Sequence, residues 1–262
     1  MAVSIEDLTA KSINDRISVC GENQPIEQPS IKRGVREKKR WLRKMLKKVG
    51  PPSKMVYVDD KPVGQIQYYP ESSIPYLKNP DSKTLHIMCS FVHLAHQGKG
   101  HGSALFKSLV SDVKSQARYD RLETLAFDPP GCGLAQTVFW KHLGFQQRPD
   151  GVPNQLQYAI KGEMTRATPN RPKSVRERGV KVFYAPTCIF SHFFIDKTAN
   201  AISELDPKIK IQRINMWEKP TLAKRRNLTG FRVIINGKPM EHSIFEVEDF
   251  KKEAQILLAR EA

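Results

Sequence analysis

Cysteine is scarce in this chain and long apolar runs are missing. Four cysteines (Cys20, Cys89, Cys132 and Cys188) are scattered over 262 residues. That scatter makes no disulfide framework, and no CxxC or Cys/His pair has zinc-ligand spacing. No apolar run approaches the roughly 20 residues that span a bilayer. The opening residues 1–7 lack the charged-then-apolar pattern of a secretory signal. The expectation is a reduced, cytoplasmic protein without structural metal or membrane span. Internal repeats and low-complexity tracts are also missing. Acidic residues are few, 27 against 43 lysines and arginines, which leaves a formal net charge of +16. Such an imbalance favours polyanionic partners: nucleic acid, ribosome, acidic protein or an anionic cofactor.

What is present is enough for real cores, since 39% of the residues are hydrophobic, and the length allows one large domain or two smaller ones. The densest basic run is 31–48, with ten lysines and arginines against Glu37 alone. Trp41, Leu42, Met45, Leu46 and Val49 recur inside it at helical spacing. Two readings stand: an amphipathic helix with a solvated basic face, or a helix that touches substrate or nucleic acid. Before it, alternation predicts a strand over 2–8 and a short helix capped by Thr9 and running to Arg16. After it, a hairpin is expected over 55–58 and 63–69, then a proline-rich inserted loop over 70–83.

Residues 97–103, Gln-Gly-Lys-Gly-His-Gly-Ser, stand between a strand-like stretch (84–92) and a helical one with Leu105, Phe106, Leu109, Val110 and Val113 on one face. A glycine turn at a helix start brings backbone N–H groups against an anion. The loop is not the dinucleotide fingerprint, because its sixth position is Ser103, and it is not a Walker A loop, because Gly100 follows Lys99. A strand over 121–127, a turn over 128–133 and a helix over 134–143 ended by Gly144 follow. Phe145 and residues 155–160 supply the last strands.

The pattern Gln97-x-x-Gly100-x-Gly102, together with Phe139-Trp-Lys-His-Leu-Gly-Phe145, resembles the GNAT superfamily of N-acetyltransferases. The resemblance implies an α/β fold whose mixed-sheet core has splayed central strands, and it implies acetyl-CoA as co-substrate. Phe91 and Val92 would then border the pantetheine arm, and Gln97, Gly98, Lys99, Gly100, His101, Gly102 and Ser103 would surround the pyrophosphate. A primary amine would attack the thioester directly, with backbone N–H groups stabilising the oxyanion. The acceptor is expected to be anionic or nucleic-acid-associated. Where many relatives carry a tyrosine that protonates the leaving thiolate, this chain has Trp140. His86 and Cys89 are the candidate catalytic groups, each with the alternative of a plain strand position, and Cys132 lies in the turn.

Residues 165–181 are basic and poor in apolar side chains, and are expected to link two domains, 1–164 and 182–262. The second has the order strand–helix–strand–helix–strand–hairpin–helix. Cys188, with Ser191 three residues on, resembles a monothiol glutaredoxin site, and 233–239 resembles its hairpin. The unit is thus similar to a thioredoxin-like domain, and the whole arrangement resembles the YoaP-like acetyltransferases. Two other functions stay open on the residues: a nucleic-acid- or ribosome-binding protein on a GNAT platform, and a thiol-redox or sensing protein acting through Cys188.

Overall fold

The computed structural model describes residues 2–22, 26–128, 134–167 and 171–259. They group into two compact units. The first comprises Met1–Gln24, Lys39–Ser73 and Pro80–Pro169, the second Pro25–Lys38, Ile74–Asn79 and Asn170–Ala262. No helix among the described residues is long and apolar enough to cross a membrane.

In chain order the elements are β1 (Val3–Asp7), α1 (Ile13–Cys20), α2 (Pro29–Val49), β2 (Ser53–Val58), β3 (Lys61–Pro70), β4 (Thr84–Val92), α3 (His101–Gln116), β5 (Arg121–Leu125), α4 (Gln136–His142), β6 (Gln146–Gln147) and β7 (Gln155–Ala159). The strands form one mixed sheet in the order β1-β2-β3-β4-β5-β7-β6. Only β4 and β5 run parallel within it; the other neighbours are antiparallel. One face of the sheet packs Leu85, Ile87, Leu122 and Leu156 against Leu105, Phe106 and Leu109 of α3 and Trp140 of α4.

The first helix starts later than Thr9 and runs past Arg16. Thr9 and Ser12 cap each other instead: the Thr9 amide donates to Ser12 Oγ (3.0 Å) and the Ser12 amide to Thr9 Oγ1 (3.3 Å). The helix therefore opens only behind Ser12, whose carbonyl accepts from the Arg16 amide. The basic helix begins at Pro29, two residues ahead of the expected start, because a proline in the first turn needs no partner for its nitrogen. Gly144 sits behind α4 at φ +93°, the left-handed position that a glycine takes past a helix end.

The second unit continues with β8 (Val180–Tyr184), α5 (Ser191–Leu205), β9 (Ile211–Asn215), α6 (Pro220–Arg225), β10 (Arg232–Ile235), β11 (Lys238–Pro239) and α7 (Val247–Ala259). Its sheet has the order β11-β10-β8-β9, with β8 and β9 parallel and the other pairs antiparallel. β8 begins inside the basic stretch 165–181, since Val180 and Lys181 already pair with β9 and β10.

Upstream of β8 the same stretch is tied down by charge. Arg226 is 2% exposed. Its guanidinium meets Glu177 and lies 5.2 Å from the Phe183 ring centre, and Lys181 shares the same carboxylate. Burial opposes ionisation of Glu177, but Arg226 and Lys181 outweigh it and hold its carboxyl below the usual range. A depressed carboxylate adds stability that is full above its unfolded pKa of about 4.3 and is lost as pH falls through the lower folded value. Arg226→Met is expected to cost about 3–5 kcal/mol, the range for breaking a buried pair. Glu177→Gln should flatten the acid side of the thermal-unfolding midpoint plotted against pH, and an unchanged profile would refute the assignment.

Candidate active site

The geometry of the site starts from an extra residue in β4. Between β3 and β4 the register shifts: Gln67 faces Cys89 and Tyr68 faces Ile87, so Met88 is left over as a β-bulge. A bulge bends its strand and strengthens the local twist. On the other side, the parallel ladder of β4 with β5 ends at the Ile87–Thr124 pair, whereas pairing with β3 continues to Val92. From Met88 onward β4 thus departs from β5, and a gap opens between the two strands. Gln136 spans its mouth, donating from Nε2 to the Ser90 carbonyl (3.4 Å) and accepting the Phe127 amide (3.3 Å).

The glycine loop lies at the end of that gap. Gly98 (φ +73°) and Gly100 (φ +82°) adopt left-handed backbone, and a Cβ at either would meet nothing within 4 Å. Conformation, not crowding, therefore requires glycine here, and the side facing outward is open. Gly100 caps α3, so the amides of His101, Gly102 and Ser103 fall in the first turn, where amides have no partner inside the helix. Gly102 has another reason: a Cβ there would stand 3.0 Å from the Phe139 ring of α4. Gln97 turns inward, its Nε2 donating to the Val92 carbonyl (2.9 Å) and its Oε1 accepting the Leu134 amide (3.3 Å). It braces the loop. His101 lies 6.0 Å from His96, ring to ring. Burial, with the neighbouring His96 and Lys99, lowers its pKa. A groove of about 620 Å³ runs along α3 past Ser103, Lys107, Lys114, His142 and Tyr158.

The opposite face of the sheet carries polar side chains. Arg16 is wholly buried and donates to Gln67 Oε1 (2.9 Å). Gln65 Nε2 approaches Cys89 Sγ at 3.3 Å. His86 pairs in register with Tyr69 on one side and Glu123 on the other, and its ring lies 5.8 Å from that of Tyr69, which meets Trp41. Burial pushes the His86 imidazole below the ordinary histidine range, against the opposing pull of Glu123. Glu123 is itself well satisfied, receiving Arg148 (2.7 Å), Gln155 (2.8 Å) and Gln157 (3.2 Å).

The structure adds one group that the sequence did not single out. Glu71, in the short 3₁₀ turn after β3, has its carboxyl pushed up to about 7 by burial and by Glu123, with Arg148 opposing. Its only forerunner in the sequence is its place directly behind the strand's Tyr-Tyr-Pro end. Trp140 is fully buried among Phe106, Phe139 and Phe145, and its indole nitrogen has no hydrogen-bond partner among the described residues. It fills the core. Phe91 is half-buried beside His93, and Val92 belongs to the core. Cys132 lies outside the described residues. Cys188, in the second unit, precedes α5, and its carbonyl accepts from Ser191 Oγ (3.0 Å). Among the described residues no group of three or more His, Cys, Asp or Glu could hold a metal ion.

A mixed sheet in which the β4–β5 ladder stops early, with a glycine turn opening the helix that follows β4, defines an α/β unit with an elongated gap ending at a helix N-terminus. Residues 22–145 match the model of the acetyltransferase (GNAT) family. The match covers a little under half of the chain. An uncharacterized N-acetyltransferase ycf52 of Gracilaria tenuistipitata var. liui is 30% identical over 129 residues, 46% of this chain and 63% of that protein. The chain thus spans less than two thirds of that relative's length. Among solved structures, a GNAT family acetyltransferase from Brucella melitensis in complex with acetyl-CoA has 12% identity and a TM-score of 0.44, covering 64% of this chain and 94% of that one. The PaiA N-acetyltransferase from Thermoplasma acidophilum in complex with coenzyme A has 12% identity and a TM-score of 0.43, covering 60% and 97%.

Proposed function

We propose that the chain is an N-acetyltransferase that passes an acetyl group from acetyl-CoA to a primary amine by direct attack. The observation that carries this reading is the continuity of gap and loop: the β4–β5 ladder stops at Ile87, and the chain runs on from Val92 into the open glycine turn at the start of α3. An extended arm ending in phosphates fits both parts. Phe91 and Val92 border the arm, and Gly98 to Ser103 offer amides to the pyrophosphate. Lys99, inside the loop itself, adds positive charge beside it. Gln97 holds the loop's shape from behind.

When bound, acetyl-CoA supplies an activated thioester carbonyl. The residues of this chain bind and orient it and handle the proton. His86, held neutral near pH 7 by burial, takes the proton of the incoming ammonium at an imidazole nitrogen. Cys89 lines the same face of β4 as His86, beside Gln65. Trp140 takes no part in proton transfer. The acceptor is an amine carried on an anionic or nucleic-acid-associated molecule, in keeping with the net charge of +16. Calorimetry with acetyl-CoA, followed by thiol release in a screen of amines, tests the reading. Saturable binding with thiol release that depends on an amine is the expected result, and no binding would overturn it.

The second unit's element order and its strand order β11-β10-β8-β9 support a thioredoxin-like domain and, with the first unit, a YoaP-like arrangement. Within it, a Cβ at Gly34 of α2 would collide with the Ile189 carbonyl, directly beside Cys188. Tyr184 and His192 both reach Glu37 of the same helix at 3.1 Å. Residues 29–38 of α2, which belong to this unit, thus pack beside the Cys188 loop, which favours a binding or scaffold role over thiol exchange.

A further inference from the structure

The acyl-transfer reading leaves the basic run of α2 unused. From Lys39 to Val49 this helix has no acidic residue, and Arg40, Arg43, Lys44, Lys47 and Lys48 are all exposed. Among the described residues, no carboxylate lies within ion-pair distance of any of the five. At about 100° and 1.5 Å per residue they fall within an arc of roughly 140° and span about 12 Å of helix. Their row is continuous, because the apolar residues between them point elsewhere: Trp41, Leu42 and Met45 are buried in the fold.

We propose that this ridge docks the phosphodiester backbone of a nucleic acid. Charge complementarity is the argument, and the composition of the ridge narrows the partner. A membrane-surface helix keeps large apolar side chains exposed beside its cations, yet none of the exposed large hydrophobic residues lies between 39 and 49. A protein partner would need a central aromatic or aliphatic anchor, and lysine is depleted where proteins meet. A row of cations without anchors suits a polymer whose charges recur at short, regular intervals. Contacts of this kind position the strand without reading its sequence. None of the five side chains belongs to the glycine loop, so the inference does not rest on acetyl transfer.

The test uses the full chain and the fourfold variant Arg43→Gln, Lys44→Gln, Lys47→Gln and Lys48→Gln. Fluorescence anisotropy would follow a labelled 20-nucleotide single-stranded RNA and a 20-base-pair DNA duplex between 50 and 200 mM salt, with vesicles of 30% phosphatidylserine as a third arm. The native chain should bind at least one nucleic acid with affinity falling steeply in salt. Loss of four phosphate contacts should lower the slope against log salt by about 3 on the single strand, at roughly 0.7 per contact. Affinity at 50 mM should fall more than about tenfold. The variant's thermal midpoint should match the native one, because all four side chains are exposed. Equal affinity and slope in both proteins would overturn the proposal, and so would binding to vesicles alone.

Discussion

Gly100→Trp is expected to weaken acetyl-CoA binding by at least about a hundredfold, roughly 2.7 kcal/mol. Two effects combine. At φ +82° any side chain strains the backbone by about 1–2 kcal/mol. Turning the loop out of its left-handed form also re-aims the amides of the first turn of α3, and a hydrogen bond to a charged group is worth about 1.5–3 kcal/mol. The measurement has an internal control. A Cβ at Gly100 meets nothing within 4 Å, so the fold should lose no more than the strain, and the unfolding midpoint should fall only slightly. Calorimetry giving the native affinity would separate the loop from the ligand and end the assignment.

His86→Gln is expected to lower kcat by about 10²–10⁴, the usual worth of a placed general base, with little change in acetyl-CoA affinity. The pH profile identifies the group. Burial lowers the His86 pKa, so its neutral form persists below the ordinary value of about 6.5. Activity should hold from neutral pH down past that value and decline only below it, and the variant should lack this decline. If Glu71 were the base, its carboxyl near 7 would centre the acid limb close to neutrality and His86→Gln would leave it in place. The same lowered pKa removes folding stability as pH drops below about 6.5, because the unfolded chain takes up the proton first. Circular dichroism at each pH keeps unfolding apart from titration.

The glycine turn was legible in the sequence because glycines at 98, 100 and 102 reflect local demands, two of conformation and one of contact with Phe139. The buried face of the basic helix was legible too, since Trp41, Leu42 and Met45 recur with the helix period. The gap between β4 and β5 was not legible from the residues themselves. It depends on where a ladder stops, and a ladder joins residues more than thirty positions apart. Glu71 escaped for the same reason: it has no local signature and becomes unusual only when folding buries it near Glu123. The first helix was misplaced because Thr9 looked like a cap while its hydroxyl was committed to Ser12.

Met88 has a consequence that concerns chain length more than chemistry. Ile87 and Val92 both face the core, although they are five positions apart, an odd number in a structure that alternates by two. The leftover residue absorbs the difference. Remove it, and the spacing becomes even: every side chain of β4 would keep its face, the strand would straighten, and the ladder with β5 could run on. Deleting Met88 is expected to leave the core faces of β4 in place, a point that the thermal-unfolding midpoint of the deletion variant checks. The extra residue thus sits where the β4–β5 ladder ends, so the length of β4 and the width of the opening are set at one position.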